Sequence, residues 1–288
     1  MASPSTPDAV RLAAPVRTLL GRSAIRLRNL ALDWGFRGGH RDYARFIILG
    51  EGRSGSNFLR GLLNSHPQTV AFGELFRFAD SIGWEFPAHD RYLSTPRLIS
   101  LSQKTPAAFL ETEVFRCFPG TIRAVGFKLF YYHAESGPRN EVWSYLEEHR
   151  DVRVIHIKRW NVLRAFLSLR KAFLTNRWTE ANGAPPDTLS VFLDYEECRH
   201  RFALADDVKG RYDALFRDHP RIEVVYEELE RNHEGEMVRV QEFLGLDRHP
   251  VRPLTYKQAG MPLAQAISNY ADLKKAFAST RWSEFFDE

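Results

Sequence analysis

The chain has 288 residues, of which 44% are hydrophobic and 26% are charged. This composition excludes collagen-like, disordered and disulfide-rich proteins, and the length is sufficient to bury a full core. No apolar stretch approaches the roughly 20 residues that a membrane-spanning helix needs, and the N-terminus lacks the charged-then-apolar pattern of a secretory signal. The two cysteines, Cys117 and Cys198, are too few for a disulfide framework. We therefore expect a soluble, cytoplasmic α/β protein.

Positive charge is concentrated at the N-terminus. Residues 1–45 contain eight arginines and three aspartates, whereas the whole chain has a formal net charge of +4. The basic pI is thus weak support for a nucleic-acid-binding core, and no nucleic-acid partner is predicted. We expect a basic N-terminal extension over residues 1–40 and a single domain over residues 41–288.

The extension also has an amphipathic pattern over residues 10–32. Its apolar stripe consists of Val16, Leu19, Leu20, Ser23, Leu27 and Leu30, flanked by arginines. Such a helix could lie on an anionic surface, which for a cytoplasmic protein is the inner membrane surface. It could also pack on the domain or on a second subunit of a homo-oligomer, which the pattern slightly favours, and the alternatives stay open.

Short apolar runs alternate with helical patterns along the rest of the chain. Strands are predicted at 46–49, 124–130, 152–157 and 222–226, and helices at roughly 138–149, 161–175, 187–216, 234–244 and 263–278. This alternation predicts an α/β fold with a P-loop-type parallel sheet of about four to five strands, flanked by helices. Residues 78–104 mix prolines with polar residues, and we expect them to be irregular.

A glycine- and serine-rich turn separates the first strand from a helical pattern. Gly50 and Gly55 have the spacing of the GxxxxGK[ST] loop that cradles nucleotide phosphates. Ser56 and Asn57 replace the lysine and the metal-holding hydroxyl of that loop, and Arg53 supplies a basic group within it. Because backbone amides at a helix N-terminus favour anions, the turn predicts an anion site without a metal. Taken alone, it is equally compatible with a tight strand-to-helix connection.

The 152–157 strand ends on basic residues. Lys158 and Arg159 stand where a magnesium-binding aspartate would be expected. The histidines, His133 and His156 among them, show no metal-ligand spacing. We therefore predict no metal site.

Several motifs follow one another between residues 45 and 286. They include RSGSNFL at 53–59, LNSHP at 63–67, GELF at 73–76, GFKL at 126–129 and TNRW at 175–178. Arg159 follows the predicted strand 152–157, and Ser168 lies nine residues after it. In order and spacing these motifs resemble the sulfotransferases that use 3′-phosphoadenosine 5′-phosphosulfate (PAPS), and among them the bacterial carbohydrate sulfotransferases of the trehalose sulfotransferase type.

The resemblance implies an enzyme that transfers a sulfuryl group from PAPS to a hydroxyl of a carbohydrate or glycolipid, with no metal. The implied cofactor-binding residues are Arg53, Ser54, Gly55, Ser56, Asn57, Arg159, Ser168, Tyr226 and Lys257. Trp160 stands where many relatives have an acidic residue and a proline, and Asn57 replaces a more usual threonine; both departures bear on the subfamily. Two rival hypotheses remain, a P-loop kinase or nucleotide hydrolase and a non-catalytic nucleotide-binding protein.

Three residues are candidates for catalysis. Lys128 lies in an apolar strand and should meet an anion, because a buried unpaired ammonium is costly. The resemblance places it near the sulfuryl group, and the alternative is a structural salt bridge. Glu74 stands in the GE context that supplies the general base of the bacterial carbohydrate sulfotransferases; the alternative is an ion pair with Arg77. His133 has a suitable pKa, but on a regular strand it would face away from Lys128 and would need a bend to reach the site.

Overall fold

The computed structural model describes residues 27, 31, 38–85, 94–135, 137–176, 188–253 and 261–287. The strands are β1 (Gly39–His40), β2 (Ala44–Gly50), β3 (Thr69–Glu74), β4 (Phe118–Pro119), β5 (Ala124–Phe130), β6 (Arg153–Lys158) and β7 (Arg221–Val225). The helices are α1 (Ser56–Asn64), α2 (Pro96–Lys104), α3 (Pro106–Phe109), α4 (Glu141–Glu148), α5 (Val162–Thr175), α6 (Tyr195–Leu215), α7 (Tyr226–Arg231), α8 (His233–Leu244), α9 (Leu263–Ala266) and α10 (Tyr270–Phe277).

Five of these strands form a parallel sheet in the order β3-β5-β2-β6-β7. This confirms the predicted fold class and the upper end of the predicted strand number. The chain leaves the central strand β2 for β3 and β5 on one side, and then crosses to β6 and β7 on the other. The order therefore reverses at β2, and in open parallel sheets the crevice beyond such a strand is where ligands bind.

Apolar side chains cover the sheet on both faces. One face packs on α1, and its core includes Phe46, Ile48, Leu59, Leu62 and Leu63. The opposite face includes Ile47, Leu49, Phe72, Trp84 and Phe127. Because a parallel strand is covered on both sides, β2 appears in the sequence as a continuous apolar run, which is why it could be recognised.

The edge strand β3 contains a bulge that determines where Glu74 points. Phe72 is opposite Phe127, but the next paired residue, Glu74, is opposite Lys128, so that Gly73 is an extra residue. Side chains alternate along a strand, and a regular β3 would turn Glu74 to the face of Phe72. The bulge instead turns Glu74 to the face that carries Lys128 and α1.

The prediction of a helix over residues 187–216 is wrong for the first part of that range. Helix α6 begins at Tyr195, where the Asp194 carboxylate accepts a hydrogen bond from the amide of Glu197 at 2.9 Å. Before it, residues 188–194 are not helical, and Val191 pairs in parallel with Ile267. Residues 177–187 lie outside the described ranges. The Asp194 cap therefore starts the helix later than the periodic pattern suggested.

The same pairing interrupts the helix predicted at 263–278. Ile267 is extended, and the side chain of Asn269 bonds to both backbone groups of Leu193, at 3.2 and 2.8 Å. Two short helices, α9 and α10, therefore replace one long helix. At the predicted helix 138–149, residues 137–140 form a 3₁₀ turn before α4.

The expectation that residues 78–104 are irregular is wrong for their last part, which forms α2. Pro96 occupies the first turn, and the Thr95 hydroxyl accepts a hydrogen bond from the amide of Leu98 at 3.3 Å. A proline after a threonine cap is a helix start signal. Residues 86–93 lie outside the described ranges.

Within the N-terminal extension, the structure describes only residues 27, 31 and 38–40. Leu27, a member of the predicted apolar stripe, is 67% exposed. The rest of the stripe lies outside the described residues, so its alternatives stay open. None of the described helices is long and apolar enough to cross a membrane.

Removal of residues 1–38 is predicted to leave the domain folded, because the sheet begins at Ala44 and β1 pairs only at Phe118–Pro119. Thermal unfolding followed by circular dichroism should show one cooperative transition in the truncated and the full-length chain. Flotation with anionic vesicles then tests the stripe, since a membrane contact would be lost on truncation. A truncated chain that is insoluble or unfolds without cooperativity would contradict the prediction and show that the stripe packs on the domain or a partner.

Candidate active site

The loop between β2 and α1, residues 51–55, is named the phosphate loop after its sequence motif, and its backbone has a conformation that favours an anion. Arg53 and Gly55 both have positive φ, 67° and 88°, and Gly55 is the N-cap of α1. Such a turn directs successive amides into one concavity at a helix N-terminus. A side chain at Gly55 would collide with Tyr226, whose Cδ2 lies 2.0 Å from the position of a Cβ. The loop therefore requires glycine here for its conformation and for the approach of Tyr226.

Four of the predicted cofactor-binding residues meet on the β6–β7 side of this loop. The Arg53 Nε donates to Ser168 Oγ at 2.8 Å, which ties the loop to α5. Arg159 follows β6, and its Nη1 donates to the carbonyl of Arg53 at 3.0 Å. Its guanidinium lies 4.8 Å from the centre of the Tyr226 ring. Burial lowers the pKa of Arg159, and nearby Tyr226 and Glu227 oppose this.

Tyr226 lies at the start of α7 and does not end the preceding strand as predicted. Its side chain is 8% exposed, because it is packed between Gly55 and Arg159. The ring therefore packs against the phosphate loop at Gly55. Lys257, the remaining predicted cofactor-binding residue, lies outside the described residues.

A buried ion pair occupies the opposite side of the loop. Lys128 is fully buried, and its Nζ donates to Glu74 Oε1 at 3.0 Å and to Asn57 Oδ1 at 2.6 Å. Arg77 Nη1 lies 3.3 Å from the other carboxylate oxygen of Glu74. The structural salt bridge and the Arg77 pair, both considered as alternatives, are thus present at the candidate catalytic residues themselves.

His133 reaches this cluster through a bend. Strand β5 ends at Phe130, and residues 131–134 form a turn that brings His133 Nε2 to 3.6 Å from Glu74 Oε2. The opposite orientation expected of a regular strand is therefore not found. The amide of Phe130 donates to His133 Nδ1 at 3.2 Å. Because Nδ1 accepts this bond, the proton of the neutral ring lies on Nε2 and faces Glu74.

Burial and neighbouring charge set the protonation of this cluster. Burial alone would raise the pKa of Glu74, but Lys128, Arg77 and His133 together hold it below its usual value. Burial lowers the pKa of His133 to about 4, against the pull of Glu74. Burial also lowers the pKa of Lys128, and Glu74 again opposes it. At neutral pH the site therefore contains an ionised Glu74 beside a neutral His133.

Several buried polar atoms at the loop and in the Glu74 cluster have no hydrogen-bond partner within the described residues. They are Ser54 Oγ, Arg159 Nε and His133 Nε2. Buried polar groups are normally satisfied, so these atoms fit a site whose ligand completes them. Within the described ranges, no three His, Cys, Asp or Glu side chains are arranged as a metal site.

The charge balance of the buried pair is predicted to control stability. Glu74→Gln should lower the free energy of unfolding by about 3 kcal/mol, because it leaves the Lys128 charge without a carboxylate. Adding Lys128→Met should restore most of the loss, since no charge is then buried. Urea unfolding at pH 7 measures each variant.

The matched control is Arg248→Ala, which removes one partner of an exposed pair with Glu242. We expect a change below about 1 kcal/mol for it. A double variant as unstable as the sum of its single variants would show that the loss does not come from an uncompensated charge.

Comparison with known proteins places this site in a family. Residues 45–250 match the profile of the Sulfotransferase family. Nodulation protein H of Rhizobium tropici is 27% identical over 250 residues, which cover 84% of this chain and 92% of that protein. Nodulation protein H of Rhizobium meliloti is 28% identical over 251 residues, which cover 84% of this chain and 94% of that protein.

Among solved structures, a sulfotransferase from Alicyclobacillus acidocaldarius matches with a TM-score of 0.46 and 18% identity, over 82% of this chain and 91% of that chain. The family match alone covers well over half of the sequence and includes the phosphate loop, the Glu74–Lys128 pair and the Arg159–Ser168 motif. The chain is therefore an enzyme of the sulfotransferase family, and it transfers sulfuryl groups.

Proposed function

We propose that the enzyme transfers the sulfuryl group of PAPS to a hydroxyl of a carbohydrate or glycolipid. In this reaction an oxygen–sulfur bond forms at the acceptor, and the bond between sulfur and the bridging oxygen of the 5′-phosphate breaks. Adenosine 3′,5′-bisphosphate leaves, and the acceptor proton passes to a base. The observation that carries the proposal is a loop with basic groups for a nucleotide on one side and a buried carboxylate–ammonium pair on the other.

The order of the strands supports one orientation of the PAPS donor across β2. Arg159 and Tyr226 follow β6 and β7 on one side of β2, whereas Lys128 and Glu74 belong to β5 and β3 on the other side. A donor whose 5′-phosphate lies in the loop would then present its 3′-phosphate to Arg159 and Ser168. Its sulfuryl group would point to Lys128 and Glu74. Arginine suits the first role because its planar fork matches phosphate oxygens.

The chain can stabilise the leaving group without a metal. Sulfuryl transfer, like phosphoryl transfer, depends on in-line positioning and on stabilisation of charge at the departing oxygen. The α1 amides, Arg53 and the Lys128 ammonium are fixed donors around the loop, and they need no rearrangement as that charge develops. Lys128 is held there by Asn57 and Glu74 together.

Glu74 is better suited than His133 to take the acceptor proton. His133 accepts the Phe130 amide at Nδ1, so its remaining nitrogen carries a proton and cannot receive another. Glu74 is ionised because its pKa is held low. A low pKa also makes it a weak base, so we propose that the proton moves late, when the forming oxygen–sulfur bond has made the hydroxyl acidic. His133 would then orient Glu74.

A P-loop kinase or nucleotide hydrolase is the rival activity. At the end of β6, where such enzymes need an acidic residue, Lys158 pairs with Asp213 at 2.7 Å and with Glu223 at 2.6 Å. Those carboxylates are thus engaged by an ammonium. Magnesium-dependent turnover of ATP by the purified enzyme would contradict the proposal.

Arg159→Ala is predicted to weaken binding of adenosine 3′,5′-bisphosphate by about 1.5–3 kcal/mol, as expected for a charged hydrogen bond. Binding of adenosine 5′-phosphate should change little, because it lacks the 3′-phosphate. Isothermal titration calorimetry compares both ligands, with Arg199→Ala as a control, since Arg199 is an exposed arginine on α6 paired with Glu196. Equal weakening of both ligands would show that Arg159 supports the loop through the Arg53 carbonyl and does not read the 3′-phosphate.

Glu74→Gln is predicted to lower the rate of sulfuryl transfer by about 10²–10⁴, the usual contribution of a general base, with nearly unchanged nucleotide affinity. The assay uses labelled PAPS with a panel of glycans and glycolipids, after circular dichroism has shown that the variant is folded. In the wild-type enzyme the rate should fall as acid protonates Glu74, at a pH below the usual range of a glutamate. Near-normal turnover in Glu74→Gln, with loss of turnover in His133→Asn, would reverse the assignment.

A further inference from the structure

Two exposed aromatic rings flank the candidate base. Tyr132 is 52% exposed and Phe78 is 42% exposed. The Tyr132 ring contacts His133 with centroids 5.1 Å apart, and His133 lies 3.6 Å from Glu74. The Phe78 ring lies 4.7 Å from the guanidinium of Arg77, which lies 3.3 Å from Glu74. Each ring therefore contacts a residue whose side chain lies beside the Glu74 carboxylate.

Tyr132 also contacts the phosphate loop. Its hydroxyl lies 2.8 Å from the position that a Cβ of Gly52 would take, so it rests directly on the loop backbone. Because Tyr132 follows β5, it stands on the Glu74 side of β2 and away from Arg159. An exposed aromatic ring at this point borders the space where an acceptor must approach, and not the nucleotide side.

We propose that Tyr132 and Phe78 form the acceptor subsite and that they bind a pyranose ring. This inference rests on the proposed function, in which Glu74 receives the acceptor proton. A pyranose has an apolar face of C–H groups and a rim of hydroxyls. Aromatic rings bury the apolar face, while a few convergent polar groups fix the orientation. Here Glu74 and Arg77 are the polar groups. A linear alcohol lacks the apolar face that the two aromatic rings would bury.

The test measures binding without turnover. Saturation-transfer NMR records the affinity of methyl pyranosides of glucose, galactose and mannose, and of the linear polyol glucitol, with and without adenosine 3′,5′-bisphosphate. We expect the pyranosides to bind more tightly than glucitol. Tyr132→Ala and Phe78→Ala should each weaken the pyranosides by about three- to ten-fold, the range of an aromatic contact. Tyr132→Phe and the control Phe192→Ala, an exposed ring elsewhere, should not.

A second variant checks the position of Tyr132 while its ring is kept. Gly52→Ala places a methyl group against the Tyr132 hydroxyl, and it should weaken pyranoside binding. Adding Tyr132→Phe removes that hydroxyl and should restore the affinity. No recovery in the double variant would show that Gly52→Ala acts through the loop and would contradict the proposed placement.

The outcomes separate this inference from the proposed function. Pyranosides that bind no better than glucitol, or a Tyr132→Ala variant that loses affinity for adenosine 3′,5′-bisphosphate instead, would overturn the subsite. An enzyme that binds pyranosides through Tyr132 but transfers no sulfuryl group from PAPS would retain the subsite and lose the donor assignment.

Discussion

The buried pair between Glu74 and Lys128 joins the edge strand β3 to the neighbouring strand β5 and to helix α1. A fully buried ammonium is stable only with a partner, and Lys128 has two, on β3 and on α1. The same contacts hold the pKa of Glu74 low and keep the lysine facing the loop. One interaction thus fixes the position of the edge strand and the electrostatics of the site, and the proposed chemistry uses a group that the fold already requires.

The reversal of strand order at β2 separates the site into two halves. On the β6–β7 side, Arg159, Ser168 and Tyr226 enclose the loop through contacts with Arg53 and Gly55. On the β5–β3 side stand the carboxylate, the ammonium and the neutral imidazole. Because the loop lies between these halves, a ligand bound as proposed would have one end near Arg159 and the other beside Glu74. This asymmetry is what a transfer between two different substrates needs.

The cluster at Glu74 also illustrates how environment separates the roles of two titratable groups. Burial lowers the pKa of His133 to about 4 and leaves the ring neutral, whereas neighbouring cations keep Glu74 ionised. The bond from the Phe130 amide then fixes which nitrogen of the ring carries the proton. These contacts support the proposed roles of Glu74 as the base and of His133 as the group that orients it, although either residue type could serve as the base elsewhere.

The sequence by itself determined the parallel sheet, the glycine-rich turn after its first strand and the family, because buried strands are continuous apolar runs and the motif of the turn is local. It also pointed to Lys128, since a lysine within an apolar strand needs a counter-charge. The tertiary structure alone decided that His133 joins the site and that Glu74 faces Lys128. The first depends on a turn after Phe130, and the second on the extra residue at Gly73, which reverses the face of one side chain. The helix predicted at 187–216 begins late because Asp194 caps it. The break in the helix predicted at 263–278 arises from the pairing of Val191 with Ile267, a contact between residues far apart in the chain that no local pattern encodes.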